Sequence, residues 1–380
     1  MEMFAQKYIR EHGLSGLVQD LHILVNEYDD RVVLNYNQID SPRFNPVCDE
    51  CRGLILRKDT WEVINWEFSR FYNVGEGEGW KDFPMASARI EEKLDGSIIG
   101  FSWDGTAWQA STRKMAFAEG STPMGRSFRQ VFDDALKGTR IVECVKGQEN
   151  ITFIFELTSP ETRVVKPYST TSLALIGARD KTTGDEMGRD FLDTMAEKFG
   201  VRRPIVYDYK SLDEVVEAAQ QLHIMDEGFV LVHEQAGSFR RLKCKNQKFL
   251  AIAHMRENGG LSPKRIMTLI LSGEQEEYLV YFAEDRKYFD FCYGVLNESI
   301  SRMKQAWEKC SAIAGQKEFA LAMIPMTKLS YEKGILFEAR KIGGTVDVVV
   351  KGVDGGKMAK HLDLKERFAK EFGKVVEDEI

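Results

Sequence analysis

The chain predicts an α+β protein, with largely antiparallel sheets and flanking helices up to residue 258 and mainly α-helical structure thereafter. Three observations carry this. Short β-rich runs recur between Gly and Asp turns from Cys51 to Leu250, helical patterns interrupt them, and beyond Ser262-Pro263 the apolar spacing becomes helical. With 380 residues and 43% hydrophobic content the chain can bury a full core, and its length suggests two or three domains. The composition reads as residues 1–258 forming one domain with an N-terminal helical extension, and 259–380 a second, mainly helical one.

Taken in order, the N-terminal stretch reads as short helices, with Leu17, Leu21, Ile23 and Leu24 at mixed helical spacing, followed by a strand over Arg31–Tyr36. Strands are then expected at 53–56, 97–103, 108–112, 152–156, 173–176 and 228–233, where β-branched and aromatic residues concentrate. Asp104-Gly105 separates two of them and signals a hairpin turn. Helices are expected at 126–136, 189–198 and 212–222. The break comes at Asn258-Gly259-Gly260, after which Ser262 supplies an N-cap and Pro263 a first-turn proline. Helices follow at 264–271, at 276–314 as one or two, and at 362–377, while the Gly-rich run 343–356 reads as either a hairpin or a loop.

Charge and cysteine usage bound the function. With 52 basic and 59 acidic residues the net charge is −7, which excludes a broad nucleic-acid-coating surface but leaves room for a local basic groove. The six cysteines are scattered and read as reduced thiols. Cys48-x-x-Cys51 has metal-like spacing without a second ligand pair. The start lacks signal-peptide character and no apolar run approaches the roughly 18 residues of a membrane span, so no membrane contact and a cytoplasmic location are expected, the host cytoplasm if the gene is a phage's. No obligate protein partner is indicated.

The sharpest local feature is Glu91-Glu92-Lys93-Leu94-Asp95-Gly96-Ser97, a lysine set before a Gly-containing turn that opens an apolar strand. Alone, it is as well explained by a solvated lysine ahead of a turn. Further segments stand in one order around it. Arg52-Gly53 precedes a strand, and Arg70-Phe71-Tyr72-Asn73 lies upstream of Lys93. Glu156 ends an apolar strand, Asp226-Glu227-Gly228 opens another, and Lys243 and Lys245 share one face of a third. Together they describe a site for phosphate chemistry.

With these segments the chain resembles the covalent nucleotidyltransferase superfamily of ligases and capping enzymes, and within it the phage-type RNA ligase 1 family. Motif I resembles Lys93-Leu-Asp-Gly-Ser97, and motif III resembles Phe155-Glu156 with Thr158-Ser-Pro160 and Thr162-Arg163-Val-Val165 following. Motif IIIa resembles 174–180 with Thr183-Gly184, motif IV Glu227-Gly228, and motif V Lys243-x-Lys245. The likeness covers roughly residues 30 to 255 and implies a nucleotidyltransferase fold.

The resemblance implies that Lys93 carries AMP in an ATP-dependent RNA ligase, with Tyr36, Arg52, Arg70, Glu156, Lys243 and Lys245 holding ATP. Arg70 stands where the family has lysine, which keeps the charge but changes donor geometry. Glu227 with the phosphates would hold Mg²⁺ or Mn²⁺. Glu276 falls where an aspartate of the family's helical region lies near metal, an exposed helix carboxylate being the other reading. Glu156 would meet the ribose hydroxyls. The implied substrate is RNA with 5′-phosphate and 3′-hydroxyl ends, with repair of cleaved tRNA as its setting and the helical domain choosing the RNA.

Lysine is ordinarily protonated near neutral pH, so such a site must lower the Lys93 pKa. Lys243, Lys245, metal and burial are the expected means. Asp95 and Ser97 read as turn-formers that bond nearby backbone. Trp61, Trp66, Phe68, Phe71, Tyr72 and Trp80 read mostly as core, with stacking of a base or adenine on one of them as the other reading, and Ser111-Thr-Arg113-Lys114 as either a phosphate contact or an exposed basic turn. Two rivals stay open. A DNA ligase or capping guanylyltransferase would carry an OB-fold barrel where this chain reads as helices, and a nucleotide-binding protein without the reaction would have no need of Lys93, Glu227, Lys243 and Lys245.

Overall fold

The computed structural model describes residues 2–122, 124–235, 237–255 and 261–373. They form two units, Met1–Ala251 and Ile252–Ile380. The Asn258-Gly259-Gly260 break expected from sequence lies outside the described residues.

The first unit opens with helix α1 (Phe4–Leu21), strands β1 (Ile23–Glu27) and β2 (Arg31–Tyr36), helix α2 (Pro46–Glu50), and strands β3 (Arg52–Arg57), β4 (Val63–Asn65) and β5 (Tyr72–Asn73). Strands β6 (Ala88–Lys93), β7 (Ser97–Trp103) and β8 (Trp108–Ser111) precede helices α3 (Phe128–Leu136) and α4 (Ile141–Cys144). Then come β9 (Ile151–Thr158), β10 (Ser172–Asp180), α5 (Arg189–Phe199), β11 (Val206–Tyr207), α6 (Leu212–Gln221), β12 (Gly228–Gln235) and β13 (Ser238–Lys245), while α7 (Gln247–Met255) begins in this unit and ends in the second.

Three sheets result, ordered β1-β2-β3-β4, β10-β9-β7-β8 and β11-β6-β12-β13-β5, and every pairing is antiparallel except β13 with β5. Period-two alternation gives each sheet its faces. Phe153, Phe155 and Leu157 of β9 pack with Phe132 of α3 and Phe199 of α5, so the alternate residues, Glu156 among them, turn the other way. Ile90, Phe229, Leu231, Leu242 and Cys244 pack with Val215 and Ala219 of α6, which leaves the opposite face of that sheet for charged side chains.

Asp104 closes the β7–β8 hairpin by accepting the Thr106 and Ala107 N–H groups at 2.9 Å each, as its Asp-Gly pair predicts. The N-terminus differs from expectation. It is one helix kinked at Gly13 (φ 71°), and Ile23 and Leu24 open β1 instead of continuing a helix; Ile23 is buried and Leu24 exposed, the alternation of an edge strand.

The second unit is helical, as expected: α8 (Pro263–Ser272), α9 (Gln275–Tyr281), α10 (Arg286–Cys310), α11 (Gln316–Met323), α12 (Ser330–Ile342), α13 (Val346–Lys351), α14 (Gly355–His361) and α15 (Leu364–Phe372). Ser262 caps α8 by accepting the Arg265 N–H at 3.2 Å. The stretch 276–314 divides into α9 and α10 around a 3₁₀ turn at Ala283–Asp285. The Gly-rich run 343–356 is neither hairpin nor loop: Gly343 caps α12 in the left-handed conformation, Val346 and Val350 are buried on α13, and Asp354 caps α14. Residues 374–377 of the expected last helix lie outside the described residues. At the centre of this unit the fully buried Glu332 carboxylate accepts from Ser299 Oγ (2.6 Å), Arg302 Nη2 (2.8 Å) and the Lys328 N–H (2.7 Å).

Candidate active site

Strand register builds the site. Gly228 of β12 pairs with Lys93 of β6 on one side and with Lys245 of β13 on the other, so the two lysines flank a residue with no side chain. Two pairs further along, Val230 stands between Glu91 and Lys243, and Lys243 in turn pairs with Asn73 of β5. Alternation therefore puts Lys93, Lys243 and Lys245 on one face. Gly228 is required there. Its φ is 137°, and a Cβ would stand 2.2 Å from the Cys244 carbonyl oxygen. Glu227, the residue before it, enters between the lysines, with its Oε1 2.7 Å from Lys93 Nζ and 3.3 Å from Lys245 Nζ.

This face forms the floor of a cavity of about 410 Å³ whose lining residues all belong to the first unit. Its lining is chemically mixed. Ile98, Ile176 and Val230 make an apolar part, while Arg52, Arg70 and Lys243 make a cationic one. The Arg52 and Arg70 guanidinium groups each bury an Nη1 with no hydrogen-bond partner. Buried donors normally find acceptors, so these two are placed for an anion such as phosphate. The Tyr36 ring lies beneath two guanidinium groups, Arg70 at 4.1 Å and Arg113 at 4.3 Å from its centroid.

The electrostatics differ in one respect from expectation. Burial pushes the Lys93 pKa down, but the carboxylates of Glu227, Glu156 and Asp95 outweigh it and hold the ammonium above the ordinary lysine range. The depressed lysine is Lys243, brought to about 7 by burial and by Arg52, Lys93 and Lys245 around it. Burial lifts Glu156 to about 8 against the pull of Lys93, so it can donate as well as accept a hydrogen bond near neutral pH.

Of the residues singled out in the sequence, Tyr36, Arg52, Arg70, Lys93, Glu156, Lys243 and Lys245 all line this cavity. Glu227 lines a smaller adjoining cavity of about 210 Å³ that shares Lys93. Glu276 belongs to the second unit, where it is exposed on α9 and paired with Arg286 at 3.1 Å. Asp95 is more than a local turn-former, since its carboxylate accepts the backbone N–H groups of Val165 (2.8 Å) and Lys166 (2.6 Å), some 70 residues along. It thereby ties the turn after Lys93 to the segment after β9, which Lys166 fastens to Asp226 at 2.6 Å.

Arg113 is no exposed turn residue. Its Nε donates to Asn35 Oδ1 at 2.8 Å and its charge faces the cavity. Behind these arginines, and unmarked by sequence reasoning, lies Glu67, which lines neither cavity and is fully buried, pushed up to about 7 by burial against the pull of Arg52 and Arg113. Its only sequence signal is a carboxylate inside the aromatic run Trp66-Glu67-Phe68.

One cavity thus brings together a lysine amine, several partly buried cations and apolar side chains, a lining that suits a phosphate-bearing ligand. The profile of the RNA ligase family, of the phage RNA ligase 1 type, matches residues 50–249, and the chain belongs to that family. It is 28% identical over 303 residues to a protein of Autographa californica nuclear polyhedrosis virus named for polynucleotide kinase and RNA ligase, an alignment over 74% of this chain and 42% of that one. It is 24% identical over 289 residues to the RNA ligase of Rhodothermus phage RM378, covering 60% of this chain and 65% of that one. The chain thus spans about two fifths to two thirds of the curated relatives it matches. An archaeal ATP-dependent RNA ligase of solved structure aligns at 13% identity and TM-score 0.47, over 90% of this chain and 83% of that one. No helix among the described residues is long and apolar enough to cross a membrane.

Proposed function

We propose that the chain is an ATP-dependent RNA ligase that carries AMP on Lys93 and joins 5′-phosphate to 3′-hydroxyl ends of RNA. The observation that carries this reading is the meeting, in one cavity, of the Lys93 amine with the unpartnered buried N–H groups of Arg52 and Arg70. Ile98, Ile176 and Val230 give a purine an apolar recess, Glu156 meets the ribose hydroxyls, and Arg52, Arg70, Lys243 and Lys245 take the phosphates.

Lys93 Nζ attacks the α-phosphorus and pyrophosphate leaves, its charge met by the cations further along the cavity. Because Glu227 favours the ammonium, Lys93 rests protonated, and it releases that proton to solvent and attacks only once the Glu227 charge is offset. Glu227 is the carboxylate that would hold Mg²⁺ or Mn²⁺, ions content with one protein carboxylate plus phosphate and water, and such an ion supplies positive charge beside the amine and the phosphates. AMP then passes to the RNA 5′-phosphate, and the 3′-hydroxyl attacks the activated end as AMP leaves. The family resemblance favours cleaved tRNA as the RNA. Glu276, in its ion pair on α9, is the least supported of the metal candidates.

The test is to incubate the protein with α-labelled ATP and Mg²⁺ without RNA and measure label retained on the denatured chain. Wild type is expected to keep label and Lys93→Ala to keep none. A chase with 5′-phosphorylated RNA should remove the label where nicked DNA does not. Removal by DNA instead would give the reading to a DNA ligase, and ATP binding without labelling would give it to a non-catalytic nucleotide-binding protein.

A further inference from the structure

Displacement at phosphorus runs in line, so the group that enters and the group that leaves lie on opposite sides of the phosphorus atom. When Lys93 enters, pyrophosphate leaves on the far side. When Lys93 is itself the leaving group, the RNA 5′-phosphate must enter from that same far side.

The cations mark that side, since Lys245, Lys243 and the strand that follows Arg70 all lie on the β13 and β5 side of Lys93. From Lys93 on β6 the sheet runs through β12 and β13 to Asn73 on β5, three strand spacings or about 14 Å across and two residues along. Arg43 and Asn73 both bond the Glu76 carboxylate at that end, each at 2.8 Å. A 5′-phosphate among Arg43, Arg70 and Lys243 therefore places its own nucleoside beyond β5, at the rim.

An aromatic pair stands there. Phe44 stacks on Tyr72 with ring centroids 4.1 Å apart and planes 29° apart, yet remains 51% exposed. The position is enforced. Tyr72 Oη accepts the Phe44 N–H at 2.7 Å and donates to Asp49 Oδ1 at 2.6 Å. Phe44 holds a left-handed backbone (φ 59°) that L-residues seldom adopt, and its ring tip fills the space where a Cβ on Gly77 would stand, 2.2 Å from it. An apolar ring is held open to solvent beside a cationic groove, which is the arrangement that binds a nucleobase by stacking irrespective of its identity.

We infer that Phe44, backed by Tyr72, is the platform on which the 5′-terminal base of the donor RNA stacks while AMP is transferred. The inference rests on the ligase reading. In that step an oxygen of the RNA 5′-phosphate forms the new bond to the AMP phosphorus, the P–N bond to Lys93 breaks, and its electron pair returns to Nζ, which takes up a proton.

The experiment separates charging from transfer. Wild type, Phe44→Ala and Phe44→Trp are labelled with α-labelled ATP, freed of ATP, and given a 5′-phosphorylated oligoribonucleotide or the same strand with an abasic 5′-terminal nucleotide. Phe44→Ala should take label as wild type does, transfer it to the ordinary donor with KM raised about tenfold, and show no further loss on the abasic donor. Phe44→Trp should restore the ordinary KM. An unchanged KM in Phe44→Ala, an equal loss on the abasic donor, or loss of charging in that variant would each overturn the platform. Failure of wild type to take label would overturn the ligase reading, and the platform with it.

Discussion

Lys243 is the residue whose protonation answers most directly to the ligand. Empty, it is brought down to about 7 by burial and by Arg52, Lys93 and Lys245, whereas phosphate against it favours the charged form. Above about pH 7, ATP binding should therefore take up a proton. Affinity should fall as pH rises, by up to about tenfold per unit, until the pKa of the bound state is reached. Calorimetry at pH 8 in buffers of different ionisation enthalpy should register an uptake approaching one proton, and Lys243→Met should abolish it. The sign is opposite for Lys93, whose carboxylate neighbours already hold its proton in the empty site. Sequence alone could count the cations near Lys93 but could not weigh them against Glu227 and Glu156, because that balance depends on distances the motif order does not contain.

At the scale of elements, the row Lys93–Gly228–Lys245 makes a backbone demand on the site. Gly228→Ala adds a Cβ that meets the Cys244 carbonyl at 2.2 Å in a conformation L-residues avoid, so β12 must shift against β13. We expect a loss on the order of 3 kcal/mol in urea unfolding, with little label taken up by the protein that remains folded.

The elements were unevenly legible in the sequence. β7, β9 and β12 announce themselves because buried strands are apolar, and Ser262-Pro263 marks α8 by its capping chemistry. β6, which carries Lys93, does not, since Ala-Arg-Ile-Glu-Glu-Lys offers the core only Ile90 and the small Ala88 and gives its other positions to ion pairs such as Arg89 with Glu91. α13 and α14 hid behind glycines that act as caps. Arg113 stayed obscure as a cavity residue because it is placed by Asn35 of another strand, and Glu67 behind it because its charge is set by Arg52 and Arg113.

At the scale of the molecule, each unit has its own core. The first is built around three sheets, and the second holds the buried Glu332 cluster among helices. Glu332→Ala removes a carboxylate that takes Ser299, Arg302 and two backbone N–H groups, leaving them without an acceptor. A cost on the order of 3 kcal/mol should fall on the second unit, visible as an earlier unfolding step in denaturant. Label uptake by Lys93 should persist, since every residue lining its cavity belongs to the first unit.

The strand ladder also limits how this protein can change over evolutionary time. Because Lys93, Gly228 and Lys245 are aligned by pairing across three strands, a single codon inserted or lost within β6 would turn Lys93 toward α6 and bring a neighbour to the cavity face in its place. The hairpin connections and the surface of the helical unit can lengthen or shorten freely by comparison. Drift in length should therefore collect outside these three strands, with the spacing from Ile90 to Lys93 and from Gly228 to Val232 held fixed.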